Sequence, residues 1–355
     1  MKNKVRNIFF AFGIIAIIVM ILTFKVSFTE IWRDIEKTGL FFVLILGLWL
    51  ILYIMNALTW RIIIKGSGDC NISFLKLIKI TISGFALNYV TPAGLMGGEP
   101  YKIMELSPYI GRERATSSVL LFAMTHIFAH FWYWITSVLL FVILILTHFV
   151  SLRFEMAIVL PSIFLFSVLG IYLFIRGYKN GMVVHIINAI CKLPFCKRWR
   201  TCFLEKHLAE LKNIDSQIAQ LQNQNKKSFW GSLILEYVGR VMQSLEIYIL
   251  LVIVGIQGTP LLIFIYSFII LAFTSLFANI LFFLPLQIGG REGGFAMSTM
   301  QLNLIGESGN PVPANEIMTI ALFISIICRV RELFWTTVGL VLMKISTKIK
   351  EKNIN

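Results

Sequence analysis

The chain has 355 residues, of which 57% are hydrophobic and only 14% are charged, and its formal net charge is +14. This composition supplies too little polar surface for a soluble globule of this size, which excludes that class of protein. The apolar runs are continuous rather than alternating, and this pattern excludes a membrane β-barrel. We therefore expect an all-α membrane helix bundle, with residues 1–355 forming a single integral membrane domain.

The N-terminal segment combines a basic head with an apolar body, as a signal peptide does. No small-residue cleavage pattern follows it, so we predict a retained first span at residues 8–24. Five further runs are also long enough for a membrane helix, which needs about 20 residues. They cover residues 40–60, 116–146, 156–175, 230–254 and 316–343. Two other apolar stretches, 74–110 and 261–306, are interrupted, and we predict that they form broken or re-entrant segments.

Lysine and arginine residues indicate how these spans are oriented, because cytoplasmic loops carry an excess of them. Most of the 32 lie in residues 1–7, 61–115, 176–228 and 344–355. The loops on the opposite side carry Lys25, Arg33, Lys37 and Arg153. We therefore predict a multi-pass protein of the inner (cytoplasmic) membrane with both termini in the cytoplasm, provided that each interrupted stretch enters and returns on its own side.

Apolar residues in the polar segment 176–228 recur at steps of three and four, which predicts one amphipathic helix in this cytoplasmic loop. They are Leu204, Leu208, Leu211, Ile214, Ile218 and Leu221. Such a helix lies on the membrane or packs under the bundle; the alternative is a helix pair that joins two copies in a homodimer. The segment also contains Cys191, Cys196 and Cys202, which we expect to be reduced thiols because their spacing does not match a zinc site.

The two interrupted stretches share a pattern of proline, a short apolar spacer, two glycines and an acid. The first contains Pro92, Gly97, Gly98 and Glu99, and the second contains Pro285, Gly289, Gly290, Arg291 and Glu292. Proline removes a backbone donor and glycine turns without a Cβ clash, so both places should break a helix. Matched breaks entered from opposite sides indicate an inverted-repeat transporter with its site between them. The alternative is two ordinary loops at the membrane surface.

Charged side chains inside spans are costly unless they are paired or hydrated. Glu236 and Arg240 stand one helical turn apart, so they can pair directly. In the last span, Arg329 and Glu332 share one helical face and Arg331 lies on another. These groups either hold the bundle together or line a polar cavity, where arginines would meet a phosphate and carboxylates would meet an amine.

His126 and His130 lie one turn apart near the middle of a span. Without a third ligand on the helix they are a weak metal signal, so we expect them to form hydrogen bonds between helices or to line a cavity. We predict no metal and no cofactor. Nucleic acid is not an expected partner, because the basic residues are spread over several loops without a binding motif. Membrane lipids are the expected partners.

Glu99, Arg291 and Glu292 each follow a Gly-Gly turn, and the inverted-repeat argument brings them toward one central cavity. Free amide groups at these turns would favour a phosphate, and the acids would pair with Lys102 and Arg329 or with an ammonium group. The predicted substrate-binding residues are Gly97, Gly98, Glu99, Lys102, Glu236, Arg240, Gly289, Gly290, Arg291, Glu292, Arg329 and Arg331.

At these residues the sequence resembles the transmembrane domain of the lysylphosphatidylglycerol synthase/flippase family, also called the flippase-like family of integral membrane proteins. The resemblance covers nearly the whole chain. Its carriers are the Thr-Pro…Gly-Gly-Glu-Pro run at 91–100, GRERATSSVLL at 111–121, the Pro…Gly-Gly-x-Glu run at 285–292 and the arginine at Arg329 or Arg331. Where the family commonly has an arginine after the first Gly-Gly-Glu, this chain has Tyr101 and Lys102, which keep a positive charge without a bidentate guanidinium.

The family's bifunctional members carry a C-terminal soluble synthase domain, whereas only residues 344–355 follow the last predicted span here. The resemblance therefore implies the lipid-translocating half: a flippase-like transporter for a phospholipid, aminoacylated or not, or a polyprenyl-phosphate lipid. The alternative is a membrane-embedded transferase, either of the lysylphosphatidylglycerol synthase type or transferring sugars on polyprenyl-phosphate lipids. The sequence offers it no Gly-rich phosphate loop and no nucleophile with a neighbouring base. A structural or regulatory subunit, the third class, would leave the buried charges idle.

Overall fold

The computed structural model describes residues 28–90, 97–180, 226–281 and 290–344, with single helical positions at 11, 212 and 216. Several predictions fall outside the described residues: the span at 8–24, most of the amphipathic helix at 204–221, the cysteines Cys191, Cys196 and Cys202, and Pro92, Pro285 and Gly289 at the breaks. The helices on both sides of each break are described.

Ten helices account for most of the described residues. They are α1 (Phe28–Thr38), α2 (Leu40–Gly66), α3 (Phe74–Val90), α4 (Gly98–Ile110), α5 (Arg112–Leu146), α6 (Phe154–Asn180), α7 (Lys226–Ile253), α8 (Pro260–Ile280), α9 (Gly290–Met300) and α10 (Ala314–Lys344). The β structure in these ranges is limited to isolated bridges from Ile305 to Gln257 and Pro311. The predicted all-α membrane bundle is confirmed.

Four of these helices are long and apolar enough to cross a membrane by length and composition. They cover Leu40–Gly66, Arg112–Leu146, Phe154–Arg176 and Pro260–Ile280. The predicted spans at 230–254 and 316–343 lie on α7 and α10, which have 28 and 31 residues but carry charged side chains in their middle turns. The first half of the interrupted stretch 261–306 forms a continuous apolar helix of 21 residues, α8.

Large apolar side chains lie both in the interior and on the outer surface, as expected for a protein surrounded by lipid. Ile45, Phe141 and Ile269 are fully buried in one apolar cluster to which α2, α5 and α8 contribute. By contrast, α6 leaves Leu165 66% exposed and Phe154 80% exposed, because lipid tails solvate an apolar surface as well as protein does.

Contacts between loops sort the connections into two ends of the bundle. At one end, Arg114 donates to the Ser67 hydroxyl and to the Asp69 carbonyl oxygen, and Ser228 at the start of α7 donates to the Ile62 carbonyl oxygen. We call this the basic end, because its surrounding segments 61–76 and 111–114 are rich in lysine and arginine.

The opposite end is formed by three loops that contact one another. Asn303 donates to the Phe149 carbonyl oxygen at 3.2 Å, and the Gln257 amide donates to the Ile305 carbonyl oxygen at 2.8 Å. The α1 helix lies at this end too, where Lys37 stacks on the Phe323 ring. Since α2, α5, α7 and α10 each run from one end to the other, the two ends lie on opposite sides of the bundle.

Both interrupted stretches fold as helical hairpins that return to the end they came from. The α3–α4 hairpin starts and finishes at the basic end, because Arg114 at the start of α5 holds the loop that precedes α3. The α8–α9 hairpin starts and finishes at the opposite end, where residues 257 and 305 pair. In the described residues, each interrupted stretch thus starts and finishes at one end of the bundle, and the two stretches do so at opposite ends.

Close packing, not an unusual backbone angle, explains the glycine at the tip of the α3–α4 hairpin. A Cβ atom on Gly98 would lie 2.1 Å from the Gly84 carbonyl oxygen and 2.6 Å from Asn88 Oδ1. A Cβ atom on Gly290 would meet only the Leu281 side chain, at 3.0 Å. Neither glycine has a positive φ, so the requirement for glycine at Gly98 comes from this close approach and not from the backbone angle.

Candidate functional site

A band of charged side chains crosses the interior where the two hairpins end. We call it the charged belt, and it contains five acids and five bases: Glu99, Glu236, Glu246, Glu292, Glu332, Lys102, Arg240, Arg291, Arg329 and Arg331. The belt includes every charged residue that the sequence assigned to the site, with Glu246 and Glu332 in addition. Because the two signs balance, the belt has no net charge when all ten groups are ionised, which lowers the cost of burying them.

Arg331 and Glu246 form a bidentate pair between α10 and α7, and Arg331 Nη1 also contacts Glu332 Oε1 at 3.5 Å. Arg331 Nε donates to Glu246 Oε1 at 3.0 Å and Nη2 donates to Oε2 at 3.1 Å, and both side chains are 3% exposed. Trp49 of α2 donates its indole N–H to Glu246 Oε2 at 2.8 Å, and its ring lies 3.7 Å from the Arg331 Cζ atom. The arrangement satisfies both carboxylate oxygens and stacks the guanidinium on an aromatic face.

The start of α9 is tied to α10 through two further ion pairs. Arg291 donates to Glu332, and Arg329 donates to Glu292 Oε1 from Nη2 at 3.0 Å and from Nε at 3.3 Å. The sequence placed Arg329 and Glu332 together on one face of α10. In the structure these two residues do not pair with each other. Arg329 pairs with Glu292 of α9, and Glu332 pairs with Arg291 of α9.

At the tip of the other hairpin, Glu99 and Lys102 of α4 form the pair that the sequence suggested. Their charged atoms are 3.4 Å apart, and Lys102 is 1% exposed with its ammonium over the rings of Phe85 and Phe122. Asn88 of α3 donates to Glu99 Oε1 at 2.9 Å.

Asn88 also limits how the α4 N-terminus could bind an anion. Its Oδ1 atom accepts the Gly98 amide N–H at 2.8 Å, so one amide expected to be free for a phosphate is already satisfied. The Gly98 amide is therefore not free for the phosphate that the sequence analysis expected at this turn.

The tip of α3 connects the two hairpins. Asn88 contacts Glu99 on α4, and its neighbour Tyr89 accepts a hydrogen bond from Arg329 Nη1 at 3.2 Å. Arg329 in turn holds Glu292 on α9. The tip of α3 thus contacts charged side chains next to both hairpins: Glu99 on α4 and Arg329, which holds Glu292 on α9.

A histidine separates the predicted pair on α7. Glu236 Oε2 lies 2.8 Å from His126 Nδ1, and Arg240 Nη2 contacts His126 Nε2. The expectation of a direct Glu236–Arg240 pair is wrong, because the α5 imidazole lies between the two side chains. The expectation that His126 forms hydrogen bonds between helices is confirmed. His130 lies one turn further along, with its ring centre 5.4 Å from that of His126.

Three belt carboxylates keep an oxygen without a hydrogen-bond partner among the described residues. These buried atoms are Glu99 Oε2, Glu236 Oε1 and Glu332 Oε2. A buried acceptor without a partner costs free energy, so each of these oxygens favours an incoming donor. Within the described ranges, no group of three or more His, Cys, Asp or Glu side chains could hold a metal ion.

Comparison with known proteins identifies the family of this chain. A family model described as the lysylphosphatidylglycerol synthase TM region matches residues 8–328. No curated protein and no solved structure matches the chain. Since the matched region covers most of the sequence, this membrane protein belongs to the lysylphosphatidylglycerol synthase transmembrane family.

Proposed function

We propose that the protein is a lipid transporter, which moves the head group of a phospholipid, aminoacylated or not, or of a polyprenyl-phosphate lipid past the charged belt. The observation that carries the proposal is the meeting of the two helical hairpins at a belt of ion pairs whose charges balance. A head group that crosses hydrocarbon alone loses its hydration without compensation. In the belt, a phosphate can take the place of a carboxylate beside an arginine.

The ion pairs at the start of α9 are best suited to such an exchange. Arg291 is 15% exposed and Glu332 is 12% exposed, and Glu332 keeps one oxygen without a partner in the described residues. A phosphate that displaced Glu332 from Arg291 would keep the guanidinium paired through two parallel hydrogen bonds. The released carboxylate would then be available to an ammonium group on the same lipid, which favours zwitterionic or aminoacylated head groups.

The proposal includes an orientation in the inner membrane. We infer that the basic end faces the cytoplasm, with both termini on that side, because lysine and arginine accumulate in cytoplasmic loops. The α3–α4 hairpin would then enter from the cytoplasm and the α8–α9 hairpin from outside. A lipid head group could reach the belt along either hairpin, so the path would connect the two leaflets.

Reconstitution into liposomes tests the proposal directly. Purified protein is placed in phosphatidylcholine vesicles that contain trace labelled phosphatidylglycerol, lysylphosphatidylglycerol or a polyprenyl phosphate, and head-group exposure is followed with a membrane-impermeant reagent. We expect protein-dependent exposure of at least one of these lipids, recovered chemically unchanged. If none of these lipids becomes exposed, the proposed transport function is contradicted. If the labelled lipid is converted to a new lipid, the transferase alternative is favoured.

Variants of the belt supply the matched comparison. Arg291→Ala should abolish exposure of the labelled lipid, whereas Arg153→Ala removes an exposed arginine from the loop between α5 and α6 and should leave exposure unchanged. Equal transport by folded Arg291→Ala and wild-type protein would separate the belt from the transport path.

A further inference from the structure

We propose that Glu236 is a proton-binding site and that its protonation makes Arg240 available to the phosphate of an anionic lipid. This inference rests on the proposed transport function, to which it adds a coupled proton. Its starting point is the contact of three side chains from two helices: Glu236 and Arg240 on α7 with His126 on α5 between them. Glu236 is 4% exposed, so these neighbours rather than bulk water surround its carboxyl group.

The neighbours of His126 fix its protonation. Arg240 can only donate hydrogen bonds, so the Nε2 atom that it contacts must accept. Glu236 accepts at Oε2, so His126 Nδ1, 2.8 Å away, carries the hydrogen. Arg240 Nη2 also lies 3.2 Å from Nδ1, but its closer contact is with Nε2. A second proton on the imidazole would place an N–H group against the guanidinium, so His126 stays neutral. The neutral ring then forms hydrogen bonds with both Glu236 and Arg240.

Glu236 Oε1 is the position that remains open to a proton. It is buried and has no hydrogen-bond partner among the described residues, and the same holds for the Thr59 hydroxyl of α2. Both residues line one small cavity, together with His126 and Arg240. A protonated Oε1 becomes a donor, and a hydroxyl that shares its cavity is a suitable acceptor.

The other charged and titratable groups around Glu236 do not take this role. Lys102 of α4 interacts electrostatically with Glu236 but is already paired with Glu99. His130 of α5 has an unpartnered Nδ1 atom in the described residues, yet a proton there would add a positive charge beside Arg240 with no acid in contact. A proton on Glu236 instead removes a buried negative charge.

Protonation of Glu236 changes what Arg240 can bind. While Glu236 is ionised, its charge compensates that of Arg240 through the imidazole. Once Glu236 is neutral, Arg240 is a half-buried cation without that counter-charge, which is unfavourable until an anion arrives. The proton and the lipid phosphate therefore favour each other's binding, and by linkage the effect is equal in both directions.

Infrared difference spectroscopy tests the proton site without reference to transport. Wild-type protein in phosphatidylcholine nanodiscs should show the carbonyl band of a buried protonated carboxylic acid in the acid-minus-alkaline spectrum. Glu236→Gln should lose this band, while Glu246→Gln, which alters a carboxylate with both oxygens satisfied, should keep it. A band that persists in folded Glu236→Gln protein, or that is missing from the wild type, would overturn the proposal.

A second variant guards against failure of Glu236→Gln to fold. Thr59→Val removes the hydroxyl that shares the cavity and changes no charge, so it should move the carbonyl band without abolishing it. A band at the wild-type position in Thr59→Val protein would show that the proton does not reside in this cavity.

Lipid binding tests the coupling. Binding of phosphatidylglycerol to detergent-solubilised wild-type protein should tighten as the pH falls, by up to about tenfold per pH unit, the limit for one linked proton. Glu236→Gln should bind with a pH-independent affinity, since its side chain is neutral throughout. The same pH dependence in both proteins would refute the coupling. Neither infrared spectroscopy nor lipid binding depends on translocation. An absence of transport in liposomes would therefore reject the proposed function, while these two measurements would still show whether Glu236 binds a proton.

Discussion

Arg331 on α10 and Glu246 on α7 are joined by two parallel hydrogen bonds of 3.0 and 3.1 Å, and both side chains are 3% exposed. Their partner Trp49 stacks on the guanidinium and donates to the carboxylate. The pair thus clamps three helices at the level of the belt.

The first prediction is that this pair behaves non-additively. Arg331→Met or Glu246→Leu alone leaves an uncompensated charge in the interior and should cost about 3–5 kcal/mol of unfolding free energy. The double variant removes both charges and should recover much of that loss. Thermal unfolding of the four proteins in the same detergent is the measurement. A double variant whose loss equals the sum of the single losses would show that the two side chains do not interact.

The second prediction separates transport from folding at the hairpin tips. Arg291→Ala should abolish head-group translocation while lowering the melting temperature only slightly, because Arg291 and its partner Glu332 are partly exposed and the surrounding helices hold the tip. Glu99→Ala should also abolish translocation, but it leaves the buried Lys102 ammonium without its carboxylate and should lower the melting temperature further. Arg291→Lys keeps the charge but loses the bidentate fork, so it should retain part of the activity. Translocation and melting temperature are measured on the same preparations. Unfolding that parallels the loss of transport would assign these residues to structure instead.

The third prediction distinguishes the two hairpins by how closely they pack. Gly98→Ala forces a Cβ atom against the backbone of Gly84 and should destabilise the protein by about 1–3 kcal/mol or more. Gly290→Ala meets only the flexible Leu281 side chain, so its effect should be small. Melting temperatures in detergent compare the two variants. Equal destabilisation would mean that the second turn needs glycine for another reason.

The fourth prediction concerns orientation. In a cysteine-free background, a cysteine at Ser151 should react with an impermeant thiol reagent in intact cells, because the loop that contains it lies at the opposite end of the bundle. Cys70, restored alone, lies at the basic end and should react only after permeabilisation. Labelling of Cys70 in intact cells, with Ser151→Cys protected, would reverse the assignment of both ends.

The sequence by itself determined that this is a membrane protein, where most of its helices lie and where the two helix breaks fall. Long apolar runs specify membrane helices because an exposed backbone in lipid must satisfy its own hydrogen bonds. Glycine and proline at 92–98 and 285–290 specify breaks for reasons that act within a few residues. Helical periodicity likewise shows which charges share a face of one helix, and their presence in spans marked them as buried.

Only the tertiary structure decided which buried charges meet. Glu332 stands three residues from Arg329 yet pairs with Arg291, and Arg329 pairs with Glu292 instead. His126 comes between Glu236 and Arg240 although it lies 110 residues before Glu236 in the chain. The partner of a buried ion is the group that neighbouring helices present at the same depth. That choice depends on helix rotation and crossing, which packing sets and the spacing of residues along one helix does not encode.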